Sequence, residues 1–311
     1  VLSANGMTLS ADINAVSIDL DAGTALVADN AITVDALGAL TANAESIDLS
    51  KATTIAGSGV LDASNGALTL GTTTINTSTL GLSSFGAMSL VGDILVNGTD
   101  FVADGQSITM TSGTQLQTVG NATFTALDAI SLETLNIGGD LDVTAQNLSD
   151  PTQGSVGFNA SVDTQAMTVL SANGMTLSAD INAVSIDLDA GTALVADNAI
   201  TVDALGALTA NAESIDLSKA TTIAGSGVLD ASNGALTLGT TTINTSTLGL
   251  SSFGAMSLVG DILVNGTDFV ADGQSITMTS GTTLNTAGNA TFTALDAISL
   301  ETLNIGGDLD V

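Results

Sequence analysis

"VLSANGMTLSADINAVSIDL" occupies residues 1–20 and returns, letter for letter, at residues 169–188. Three of its apolar residues, Met7, Ile13 and Leu20, each open a series that runs through the whole repeat. The first series is Ile13, Val34, Ile55, Ile75, Val96, Leu116, Ile137 and Phe158, and it returns to Ile181, the copy of Ile13. The second is Met7, Leu26, Ile47, Leu68, Met88, Ile108, Ile130 and Leu148, returning to Met175. The third is Leu20, Leu40, Leu61, Leu82, Val102, Phe124, Val143 and Met167, returning to Leu188. A period near 20 residues is the mark of a solenoid, in which each repeat is one structural unit.

The letters between these positions give the local conformation. "VSIDL" (16–20), "ESIDL" (45–49), "GALTL" (66–70), "GAMSL" (86–90) and "QSITM" (106–110) alternate apolar with polar residues and are set off by Gly, Asn or Asp. Such segments read as short strands. No stretch sustains a helical stripe beyond two turns, so the class is all-β. The spacing predicts a parallel β-helix with about 21 residues and three short strands per coil, eight coils to the repeat. A single coil cannot bury its own apolar side chains; stacking aligns them into one continuous core. At about 4.8 Å per coil the repeat would rise about 38 Å and the chain about 70 Å. Gly23, Gly38, Gly66, Gly86, Gly105 and Gly120 fall where the corners are expected.

The copy covers 1–143 and 169–311 and differs only at Gln115/Thr283, Gln117/Asn285 and Val119/Ala287, three changes expected to fall on one corner and to be neutral. The organisation is therefore a unit 1–168 followed by an incomplete second unit 169–311, read as one continuous rod cut from a longer array. Pro151 has no N–H for a ladder and belongs at a corner or in a bulged loop, and the longest steps of the series place one or two protruding loops beside it.

Thirty-two acidic residues face two basic ones, Lys51 and its copy Lys219, for a net charge of −30. That balance argues against nucleic acid or an anionic membrane as a partner. No apolar run approaches the roughly 20 residues of a membrane-spanning helix. The acid pairs Asp19/Asp21 and Asp140/Asp142, with copies Asp187/Asp189 and Asp308/Asp310, are the metal candidates: residues i and i+2 of a strand share a face, and calcium takes six to eight oxygens. A solvated acidic skin is the plainer reading of the same residues, and no other cofactor is expected. With no His, Cys, Arg, Tyr or Trp, an enzyme is not expected. The seven Phe residues read as core filling.

"ALGALTANAESIDLS" (36–50) and "NGALTLGTTTIN" (65–76) resemble the repeats of filamentous-haemagglutinin-type exoproteins, which carry G-x-L-T-L-x-A at about 20-residue spacing. The resemblance implies a right-handed parallel β-helix in a long, secreted, surface-anchored fibre. The expected function is the structural shaft of a bacterial adhesin or filament that holds a tip away from the cell. Its expected partners are neighbouring repeats and sister chains, and its location is extracellular. Two alternatives stand beside it. In one, lateral faces or loops bind glycans or sister chains; in the other, calcium-stiffened β-sandwiches replace the solenoid.

Overall fold

A computed structural model describes the 311 residues except Ala36, Leu37, Leu148, Pro151, Ala204 and Leu205. Every strand pairing it describes is parallel. Gly59–Ala63 lies between Leu40–Ala44 and Leu80–Ser84. Leu68–Leu70 lies between Ser46–Leu49 and Ala87–Leu90. Thr73–Ile75 lies between Thr53–Ile55 and Ile94–Val96. Each strand thus stacks on the strand one coil away, and three faces form a parallel β-helix of about 21 residues per coil. Sandwiches are built from antiparallel sheets, so that alternative is set aside. No helix among the described residues is long and apolar enough to cross a membrane.

The chain divides into two compact units, Val1–Thr164 and Gln165–Val311. In the first unit, alternate residues of the strands from Ile18–Ala22 onward point inward and are buried, as in Gly59–Ala63 and Leu80–Ser84. Full burial of a Leu or Ile side chain is worth about 1.5–3 kcal/mol, and the stack collects that gain only because every coil presents the same rows.

The second series is correct from Met7 through Leu26, Ile47, Leu68, Met88 and Ile108 to Ile130. Its next member is Val156 rather than Leu148; Leu148 and Pro151 lie outside the described residues. The first series holds from Val34 through Ile55 and Ile75 to Val96. Its ends shift by two residues: Val34 pairs with Ala15, Val96 with Thr118, and Thr118 with Ile137. Phe158 stacks on Leu132 and so belongs to the second face.

The third series needs the largest correction. Its true row is Leu20, Ala42, Leu61, Leu82, Ala103, Phe124 and Val143. Leu40 belongs to a neighbouring inward row with Ile18, Gly59, Leu80, Phe101, Ala122 and Leu141. Val102 points outward and is half-exposed. The two rows share volume: where one holds Gly59 or Ala122, the other holds Leu61 or Phe124. A side chain at Gly59 would have to displace its neighbours, since its β-carbon would lie 2.9 Å from Leu80 Cδ1 and 3.0 Å from Ile55 Cδ1.

A few hydroxyls enter this core. Thr73 Oγ1 donates to the Gly71 carbonyl at 3.0 Å, and Thr118 Oγ1 accepts from the Gly120 N–H at 3.3 Å. At the corners, Gly38 and Gly120 are required by close approach, because a β-carbon on either would run into the carbonyl of Val16 or Thr99.

In the second unit the same rows recur, through Ile186, Leu208, Gly227, Leu248, Phe269 and Ala290. Here some strands continue round the corner. Leu248–Leu258 covers two faces, with a register shift between Ser252 and Ala255. So the count of three separate short strands per coil holds for the first unit better than for the second.

Two of the three differences between copies lie on a strand face, and the third lies at the bend that follows it. Gln115 and Gln117 point outward from Gln115–Thr118, and Val119 follows it, also exposed. The inward residues between them, Leu116 and Thr118, pair in the core rows and have the identical copies Leu284 and Thr286.

Candidate functional site

Outward residues of the first face carry the chemistry. Two outward rows run along the first unit: Asp19, Thr41, Val60, Gly81, Val102, Thr123 and Asp142, and beside it Asp21, Asn43, Asp62, Ser83, Asp104, Thr125 and Thr144. Asp19 and Asp21 therefore do share the outward face of Ile18–Ala22, as do Asp187 and Asp189 in Ile181–Ala196.

Asp140 does not sit beside Asp142 in the same way. The strand begins at Leu141, and the Asp140 N–H is taken by the Asn121 side-chain carbonyl at 2.9 Å. Asp308 is likewise held before Leu309–Asp310 by Asn289, at 2.8 Å. Both aspartates are exposed, and their carbonyls still accept from Ala122 and Ala290 on the neighbouring coil, each at 2.9 Å. Among the described residues no group of three or more His, Cys, Asp or Glu side chains is disposed to hold a metal ion.

Sequence reasoning missed the side chains that form a concave site. Phe101, Phe124, Phe158, Phe269 and Phe292 are fully buried, but Phe85 and Phe253 are 73% exposed. Phe85 follows the buried Ser84 that ends Leu80–Ser84, and Phe253 follows the buried Ser252 inside Leu248–Leu258, both where the chain passes from the first face to the second. In the first unit a cavity of about 300 Å³ is lined by Asp62, Ser83, Phe85, Asp104, Gln106 and Leu127. Its counterpart of about 370 Å³ is lined by Asp230, Ser251, Phe253, Asp272, Gln274 and Leu295.

The cavity lining takes in Ser83 but not Gly81, and the register shows the low strand surface that runs on beside it. The middle coil presents Gly81 and Ser83, while its neighbours present Val60 and Asp62 on one side and Val102 and Asp104 on the other. Small residues make a floor and larger ones make walls, about 9.5 Å apart at two strand spacings. Phe85 stands at one end of this slot. The Gln106 side chain on the same corner donates its amide to Asp128 at 3.0 Å, as Gln274 does to Asp296.

Gly81 is unusual among the strand glycines. Its backbone does not require glycine, because it is not among the glycines of positive φ. Its missing β-carbon would meet nothing closer than the Gly59 carbonyl oxygen at 3.9 Å. A strand-interior glycine costs about 0.5–1 kcal/mol relative to alanine, and packing does not demand this one.

Asn147, Ser149, Asp150, Thr152 and Gln153 are joined by local hydrogen bonds. Asn147 Oδ1 accepts from Ser149 N at 3.0 Å, and Asp150 Oδ1 accepts from the Thr152 hydroxyl at 2.6 Å and the Thr152 N–H at 3.1 Å. The Thr152 hydroxyl, then its N–H, then Gln153 hold the Asp150 carboxyl below its ordinary pKa of 3.8.

Comparison with family models, with curated proteins and with solved structures finds no match. The chain is described by its fold, as a β-helical repeat protein.

Proposed function

We propose that this chain is the shaft of a long secreted bacterial surface protein of the filamentous-haemagglutinin type, extending a distal part away from the cell. One observation carries the reading: in each unit the strands stack on strands one coil away, in register, so that adding sequence adds coils without changing the cross-section. The outward acidic residues, at a net charge of −30, keep neighbouring shafts apart and soluble. Chemistry is left to other parts of such a protein; the chain contains no His, Cys, Arg or Tyr to supply it. Sister chains lying side by side are its natural partners in this reading.

Arrays of one, two and four 168-residue units test it by electron microscopy. The shaft reading expects each added unit to lengthen the particle by about 38 Å at constant width. Particles that grow in width, or that collapse on themselves, would refute it.

A second reading, a lateral binding module, is favoured by the exposed Phe85 and Phe253 and the cavities beside them.

A further inference from the structure

We propose that the slot over Gly81 and Ser83, and its copy over Gly249 and Ser251, receives a cationic side chain, lysine or arginine, of a basic peptide segment on a partner. This stands independently of the shaft reading, since it concerns one outward face and not the length of the stack.

The floor fits a side-chain stem. Gly81 and Ser83 are two residues apart on one strand, about 6.6 Å along its axis, close to the reach of an extended lysine stem. Val60 and Val102, both half-exposed, flank Gly81 and give that stem apolar walls. Lys and Arg commonly lay their alkyl stems on apolar surface while the charged head stays in a polar setting.

The head group would then sit over Ser83, between Asp62 and Asp104 and against the ring of Phe85. Asp62 and Asp104 lie on strands about 9.5 Å apart, with a small hydroxyl on the strand between them, an arrangement that suits one positive charge. An exposed aromatic ring adds attraction for a cation through its face. Two coils away in the same row, Asn43 fills the equivalent position between Asp21 and Asp62, so the gap is particular to Ser83. The protein's own cations are only Lys51 and Lys219, so the field over this face is negative and uncompensated.

The test is a nuclear magnetic resonance titration of the 311-residue chain with acetyl-Gly-Lys-Gly-amide, and separately with the same peptide acetylated on the lysine. Saturable shifts are expected at Gly81, Ser83 and Phe85 and at Gly249, Ser251 and Phe253, at least about ten-fold weaker for the acetylated peptide. The double variant Gly81→Leu/Gly249→Leu should lose them. It leaves the charge unchanged and places its new side chains in open space, and unchanged resonances elsewhere would show that it folds. Asp104→Asn with Asp272→Asn should weaken binding by a second route, and Phe85→Ala with Phe253→Ala by about three-fold, the scale of an exposed cation–π contact. Shifts spread over all the acidic faces and unaltered by Gly81→Leu/Gly249→Leu would reduce the effect to diffuse attraction and overturn the proposal. So would no binding, equal binding of the acetylated peptide, or tighter binding of a neutral oligosaccharide such as maltotriose in the slot.

Discussion

Phe101 and Phe124 meet at 5.2 Å between ring centroids, tilted by 49°, although they belong to different inward rows of successive coils. Phe101 pairs in register with Ala122, and Ala103 pairs with Phe124. Each ring therefore lies over an alanine and reaches diagonally to the other ring. The arrangement recurs at Phe269 and Phe292, at 5.3 Å. Removing a buried Phe side chain costs about 3–5 kcal/mol, so Phe101→Ala with Phe269→Ala should open both coils. Hydrogen exchange of the amides at 101–105 and 269–273 would report it. A double-mutant cycle with Phe124 should show a coupling of about 0.5–1.5 kcal/mol, the usual worth of an aromatic pair beyond its burial.

Two glycines one coil apart should respond in opposite senses. Gly59→Val drives a side chain into Leu80 and Ile55 and should cost about 1–3 kcal/mol, as overpacking does. Gly81→Val meets open space and should be neutral or stabilising by up to about 1 kcal/mol. Denaturant melts of the two variants make the comparison, each with its copy at Gly227 or Gly249 changed as well.

Thr118 and Thr286 occupy matching positions but differ in partnership. Thr118 Oγ1 accepts a hydrogen bond from Gly120 N, whereas Thr286 Oγ1 is buried without a partner. A typical hydrogen bond is worth about 1 kcal/mol, and an unpaired buried hydroxyl is a cost. Thr118→Val should therefore destabilise by about 1 kcal/mol, while Thr286→Val should be neutral or stabilising. Exchange protection in each unit, followed separately, distinguishes the two.

Asp150 gives a pH dependence of known sign. Its carboxyl is held below 3.8 by Thr152 and Gln153, so the ionised form is favoured in the folded state. The contribution of these hydrogen bonds is fully present above pH 3.8 and is lost as pH falls through the lower folded value. Amide shifts of Thr152 and Gln153 followed down in pH should show that transition, and Asp150→Asn should abolish it.

How much of this was legible depended on residue size. The row from Met7 to Ile130 was readable because every member is a large apolar residue. The row from Leu20 to Val143 was not, because Ala42 and Ala103 fill inward places that sequence alone would give to Leu40 and Val102. Only the partner coil shows that Leu40 and Phe101 supply the volume those alanines lack. Phe85 was hidden for the same reason in reverse. An aromatic letter in an apolar-rich sequence reads as core, and only the corner geometry puts it outside. That Asn121 and Asn289 accept from the N–H groups of Asp140 and Asp308 was not legible, since it is a contact across coils that no i, i+2 rule contains.

The account rests on coils stacked in register, and engineered cysteines test that most directly because the chain has none of its own. Thr69 and Ser89 are register partners on the second face. Neighbouring strands lie about 4.8 Å apart, within the Cα separation a disulfide spans. Thr69→Cys/Ser89→Cys should oxidise fully without loss of stability. Thr69→Cys/Thr109→Cys, two coils apart at about 9.6 Å, should stay reduced. Efficient bridging of the second pair, or none in the first, would contradict the stacked β-helix and every inference built on its register.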